Sequence, residues 1–215
     1  MILSIKNAIP SPEPGVTDRI ARRTLAKRES EYAAEVRRLL DAALELMGQG
    51  GTSTRPRVAD IVAASGLSND AFYRHFKSKE DLVAAILEDG AERLRSYLAH
   101  QMAKSPTPED QVRRWVKGVL AQADPDIAAT TLAVLWNGST AGGGVAAGRH
   151  FASTPLASLL SQPFAALGSD APELHAALAA HATLGMLSDY LWRHEVPTRA
   201  DIDQITAFCL RPATG

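Results

Sequence analysis

Residues 58–82 read VADIVAASGLSNDAFYRHFKSKEDL. Two helical patterns of roughly eight residues each meet at Gly66 and Leu67. Gly66 closes the first, and Ser68 caps the second, which runs from Asn69 to about Phe76. Ser78 caps a third helix that starts at Lys79, with Asp81 in the capping-box position. Helices this short cannot persist alone, so both must pack on longer ones before and after. Ile61, Val62, Leu67, Phe72 and Phe76 are the core this requires. Asn69, Asp70, Tyr73 and Arg74 are left on the opposite side of the second helix. An exposed helix with short polar side chains at its start is shaped to enter a DNA major groove. The N–H groups at its start, and at the start of the next helix at Lys79, attract phosphate.

Upstream, Val36, Leu39, Leu40, Ala43, Leu46 and Met47 recur at helical spacing, predicting a helix from about Ser30 that ends at Gly48, Gly50 and Gly51. Pro56 suits the first turn of the helix that Arg57 enters. Pro10, Pro12, Pro14 and Gly15 predict no regular structure up to about residue 17. Arg19, Arg22, Arg23, Lys27 and Arg28 follow with no acid among them. Residues 1–29 therefore read as a flexible basic arm, suited to a minor groove or to backbone phosphates.

Downstream, Leu82, Ile86, Leu94 and Leu98 mark a long helix to about Met102. Thr107, between Pro106 and Pro108, caps a helix holding Val112, Trp115, Val116, Val119 and Leu120. Another follows Pro125 through Ile127, Leu132, Leu135 and Trp136. Gly142, Gly143 and Gly144 read as a hinge, and Thr154 and Pro155 as the start of a helix running toward Leu167. A Leu/Ala-rich helix over 171–195 and a last one from Thr198 to about Leu210 complete the chain. No alternating run asks for strands. The prediction is an all-α protein of about nine helices. Residues 30–78 form a three-helix head with a helix-turn-helix, and residues 79–215 a helical ligand-binding and dimerisation body.

The 215 residues are 46% apolar and 22% charged, ordinary for a globular protein. No run approaches the roughly 18 apolar residues of a membrane span, and residues 1–14 lack a signal-peptide pattern. Cys209 stands alone, so no internal disulfide forms, and a cytoplasmic setting is expected. The net charge of −1 hides an uneven spread: 8 basic and 10 acidic residues over 96–215, against 15 and 14 before them.

Catalytic chemistry finds little support. Gly138–Ser139–Thr140–Ala141–Gly142 superficially resembles a nucleophile elbow, but its centre is Thr and no strand leads in. The glycines at 142–144 lack the following Lys-Ser/Thr of a phosphate loop. His175 and His181 are six apart, not a helical metal pair. No catalytic residue, metal site or cofactor is expected.

Over about 39–87, with LLDAALELM, VADIVAASGLS and AFYRHFKSKEDLVAAIL, the sequence resembles the DNA-binding head of the TetR family of bacterial transcription regulators. Gly66–Leu67–Ser68, Phe72–Tyr73–x–His75–Phe76 and Ser78–Lys79–Glu80–x–Leu82 carry the resemblance. It implies that Tyr73, His75 and Lys79 hold phosphates, and that Asn69, Asp70 and Arg74 read base edges or nearby phosphates. Ser68 and Ala71 stand at the same face's entry, and Arg57 begins the helix that often touches the backbone. Three departures stand out. Ala59 lies where arginine is common, Ala71 lies where Ser or Thr is frequent, and Asp70 is acidic. Asp70 would either accept from a cytosine amino group or favour the helix N-terminus.

The resemblance further implies a homodimer paired through the last two long helices, a palindromic double-stranded DNA operator and a small-molecule effector, with repression as the family default. Leu174, Leu178, Leu184, Leu187 and Leu191 read as one apolar stripe, with Ala176, Ala177, Ala179, Ala180 and Ala182 allowing close helix approach. Trp115, Trp136, Phe151, Phe164 and Met186, with polar Asn137, His150 and His181, are candidates to line a pocket for an apolar or aromatic effector. The rival readings are a helical scaffold that binds a protein partner and, more remotely, an enzyme using that pocket.

Overall fold

The computed structural model describes residues 15–138 and 144–211, and the side chains of these except over 144–154. Among them are nine α-helices: α1 (Val16–Gly50), α2 (Val58–Ser65), α3 (Asn69–His75), α4 (Lys79–Met102), α5 (Pro108–Leu120), α6 (Pro125–Gly138), α7 (Gly144–Ala166), α8 (Pro172–Arg193) and α9 (Arg199–Leu210). A single 3-10 turn, Ala121–Ala123, joins α5 to α6. The disorder expected of residues 1–14, the hinge at Gly142 and Gly143 and most of the apparent elbow lie outside the described residues.

The chain divides between Arg38 and Leu39 into two compact units. The first is helical from Val16, which corrects the flexible arm and the expected start near Ser30. Between Gly15 and Gly48 there is neither glycine nor proline, and Ala, Arg, Leu, Lys and Glu dominate. These residues have high intrinsic helix propensity. Lys27 and Glu31 add an exposed i,i+4 pair at 3.8 Å. Almost every residue of this stretch is exposed, which hides the helix from a reading based on an apolar stripe.

The second unit is built on two sets of buried side chains. Leu39, Ala43 and Met47 of α1, Ile61 and Val62 of α2, Phe72 of α3, Phe76 beyond it, and Leu82, Val83 and Ile86 of α4 are buried at the helix-turn-helix end. The larger cluster centres on α5, which touches α4, α7, α8 and α9. It holds Trp115, Val116 and Val119 against Leu98, Leu156, Leu160, Phe164 and Leu191. The Trp115 Nε1–H donates to the Leu156 carbonyl at 3.0 Å, so the buried indole is satisfied.

Capping fixes the helix starts much as the sequence predicts. Ser68 accepts from the Ala71 N–H, Ser78 from Asp81, Thr107 from Asp110 and Thr198 from Asp201. Asp81 reaches back one residue further than a capping box does, accepting from the Lys77 N–H at 3.0 Å.

Two expectations for the body are corrected. Helix α7 begins at Gly144, not near Thr154, so Pro155 lies inside it together with Pro163. Proline removes one N–H and crowds the preceding turn, but a helix packed along its length can absorb that loss. The α8 leucines do not form one stripe: Leu187 and Leu191 are buried, Leu184 is half-buried, and Leu174 and Leu178 face outward. Ala176, Ala179 and Ala180 are buried, on the helix that packs most extensively with α7. Their small size serves contact within the chain.

Gly118 leaves room on α5 for a side chain of α4, since an added Cβ would meet Leu98 Cδ2 at 2.4 Å. Leu98 is itself fully buried and has nowhere to go. Gly118→Val is therefore expected to destabilise the fold by about 1–3 kcal/mol through overpacking, read as a lower urea midpoint with unchanged slope. Cys209 is buried, and desolvation pushes its thiol above the ordinary cysteine range. The thiolate is the reactive form. The native protein should resist alkylation at mildly alkaline pH and react in urea; equal rates in both would contradict this burial.

Candidate DNA-binding face

The turn between α2 and α3 is set by Gly66. It adopts φ +64°, the left-handed region where a side chain costs roughly 1–2 kcal/mol. Its N–H donates to Ala63 and the Leu67 N–H to Val62, closing the carbonyl end of α2. The chain then leaves extended through Ser68 and re-enters helix at Asn69. At the other end of α2 the Arg57 N–H donates to Asp60 Oδ2 at 2.8 Å, so Asp60 is committed to a cap.

Helix α3 has one buried and one exposed side. Phe72 is fully buried, with its ring 5.8 Å from Phe76 and 5.2 Å from Tyr73 between centroids. Ala71 lies on this inner side at 4% exposure. That corrects its place among the candidate DNA contacts: its methyl group is core, and its N–H is taken by Ser68. The outer side presents Asn69, Asp70, Tyr73 and Arg74, all exposed, with Tyr73 at 59%. Ser68 is exposed too, but its hydroxyl serves as the cap of α3. His75, the last residue of α3, is half-buried. Arg57 and Ala59 are exposed at the start of α2.

Lys79 opens α4 and is half-buried. Its Nζ donates to the Pro56 carbonyl at 3.4 Å, tying the entrance of α2 to the entrance of α4. Residues 55–79 hold five basic side chains (Arg55, Arg57, Arg74, Lys77 and Lys79) against two acidic ones, Asp60 and Asp70. The helix-turn-helix is thus locally positive in a chain of net charge −1.

The arm residues Arg19, Arg22, Arg23, Lys27 and Arg28 are exposed on α1. The effector candidates do not converge. Trp115 and Phe164 are packed in the core, with Phe164 edge-on to His175. Asn137 is buried and donates to the Ala133 carbonyl. His181 and Met186 lie on the outer side of α8. His150 and Phe151 fall where side chains lie outside the described residues. An open depression of about 510 Å³, lined by Met186, Asp189, Tyr190, Arg193 and Asp201 among others, includes only Met186 of the candidates. Its Tyr190 phenol is held above the usual tyrosine range, mainly by burial and then by the Asp201 carboxylate.

Trp136 makes a contact that sequence reasoning missed. The Arg55 guanidinium sits 4.9 Å from its ring centroid, and Trp192 lies edge-on at 6.0 Å. Arg55 belongs to the loop before α2, where no periodicity marks a partner. Its one signal was a cation beside Pro56. Among the described residues no cluster of His, Cys, Asp or Glu is arranged to hold a metal ion, and no helix is long and apolar enough to cross a membrane.

Comparison with known proteins agrees with this geometry. The family model described as bacterial regulatory proteins, tetR family, matches residues 39–86. The HTH-type transcriptional regulator AcrR of Shigella flexneri is 34% identical over 83 residues, a stretch covering 38% of this chain and 38% of that protein. Solved structures share the fold across most of the chain. A regulator from Streptomyces avermitilis superposes with TM-score 0.64 at 20% identity, covering 83% of this chain and 97% of that one. A TetR-family regulator from Mesorhizobium loti gives 0.62 at 14%, covering 85% and 96%. GusR of Salmonella enterica gives 0.62 at 20%, covering 84% and 96%. The helix-turn-helix segment thus matches the tetR family of bacterial regulatory proteins, and the all-helical fold is the one these regulators share.

Proposed function

We propose that the chain is a cytoplasmic homodimeric repressor that binds a palindromic operator and is released from it by a small-molecule effector, without catalytic activity of its own. The observation that carries the DNA half is the two-sided α3, anchored by Phe72 and presenting Asn69, Asp70, Tyr73 and Arg74 together. Asn69 and Arg74 have the donor geometry for adenine and guanine edges. Tyr73, His75, Lys79 and Arg57 hold phosphates, which set register without reading sequence. Residues 79–215 act as the ligand-binding and dimerisation body.

Dimerisation is supported by the outward side of α8 and α9. Leu174, Leu178, Trp192 and Phe208 are exposed there, and a Cβ at Gly185 would meet nothing within 4 Å. Apolar surface of this kind is what an isologous helix pairing covers. An apolar or aromatic effector would need the packing around Trp115 and Phe164, both fully buried, to open for it.

An effector acts only through differential affinity for two states. The states required here are two separations of the reading helices, which must stand about one DNA turn apart to engage a palindrome. The Arg55–Trp136–Trp192 stack supports such coupling, because it joins the loop entering α2 to helices α6 and α8.

Selection from a pool of random duplexes, followed by sequencing, tests the DNA reading. The wild type is expected to recover a palindrome with half-sites about 10 base pairs apart. Tyr73→Ala should lose it, with a tenfold or greater drop in affinity and an unchanged melting temperature, since the side chain is mostly exposed. Absence of enrichment by the wild type at low salt would overturn the reading and favour a scaffold that binds protein. Once the effector is found, Arg55→Ala should blunt the effector-induced loss of operator affinity relative to wild type. Loss of operator binding alone, with the response intact, would show that Arg55 serves only to hold the loop.

A further inference from the structure

The helix that replaces the expected flexible arm has an ordered charge distribution. At 100° per residue, Arg19, Arg22, Arg23, Lys27 and Arg37 fall within an arc of about 140°. No acidic residue shares that arc over 16–38; Asp18, Glu29, Glu31 and Glu35 lie outside it. The positions between the cations on the arc, Ala26, Ser30, Ala33 and Ala34, are small. Arg28, which the sequence groups with the others, projects from the opposite side.

We propose that this face of α1 is a second DNA-binding surface, which lies along the phosphates of duplex DNA. Charge complementarity selects the occupant. A row of cations on a rigid rod matches a polyanion with charges every few ångströms. The small residues between them let the helix backbone approach a wide surface closely. The segment 16–38 is about 34 Å long at 1.5 Å per residue, close to one duplex turn. The Lys27–Glu31 pair is exposed on both sides, at 79% and 59%, and is exchangeable for a phosphate contact. The contact is sequence-independent, since phosphates carry no base identity. It rests on the reading of the chain as a DNA-binding regulator, with the surface itself as the addition.

The test is equilibrium binding to a duplex carrying the selected operator at several salt concentrations, with full-length protein. The fourfold variant Arg19→Gln, Arg22→Gln, Arg23→Gln, Lys27→Gln is compared with wild type and with Arg28→Gln. The fourfold variant should flatten the slope of log affinity against log salt by about three to four per subunit while recovering the same palindrome. Arg28→Gln should leave the slope nearly unchanged. Circular dichroism confirms that α1 persists; if the fourfold variant loses helix, the pair Arg19→Gln, Arg23→Gln decides, with an expected change near two. An unchanged slope in a helical variant overturns the proposal. So does an equal loss per charge from Arg28→Gln, which would mean diffuse attraction and no defined face. A variant that instead loses self-association in sedimentation, or loses binding to anionic vesicles, at constant slope assigns the face to a second copy or a lipid surface. Failure of the wild type to bind any duplex would overturn the underlying DNA reading, a result separable from all of these.

Discussion

A helix of eight residues and one of seven do not survive in water by themselves, because nucleation costs more than so few hydrogen bonds return. The helix-turn-helix therefore exists only because Phe72, with Ile61 and Val62, is buried in the second unit. That burial fixes which way α3 faces. Once Phe72 and Ala71 point inward, the helical period leaves Asn69, Asp70, Tyr73 and Arg74 outward together. The candidate DNA-binding face is the other side of a packing decision, and its rigidity comes from the core beneath it.

Capping and the turn reinforce that constraint locally. Gly66 allows the chain to reverse, and Ser68 starts α3 without an unsatisfied N–H. Asp60 and Asp81 are spent on backbone donors, so two of the acids nearest the face are already engaged.

The helix-turn-helix was legible because its signals are local: a left-handed glycine, two serine caps and aromatic residues at helical spacing. The arm was not, because α1 before residue 38 carries no apolar stripe and rests on propensity, a weak signal beside three nearby prolines. The start of α7 was missed because Pro155 resembles a first-turn proline, and only tertiary packing tells a start from an interior position. The α8 stripe was misread because a helix buried on one side and exposed with leucines on the other has apolar residues around most of its circumference. The effector candidates scattered for a related reason. Aromatic composition marks interiors, and Trp115 and Phe164 fill the core directly. The Arg55–Trp136 contact is long-range and leaves no periodic trace.

The bond from Lys79 to the Pro56 carbonyl has a thermodynamic side. An unrestrained lysine surrenders up to roughly 2 kcal/mol of rotamer entropy when it is fixed in a complex. Lys79 has surrendered part of that on folding, through one of its three ammonium protons, and two remain to be shared with a phosphate. The ordering is charged to the folded state once, so under the proposed function an encounter with a duplex would begin from a side chain already in place.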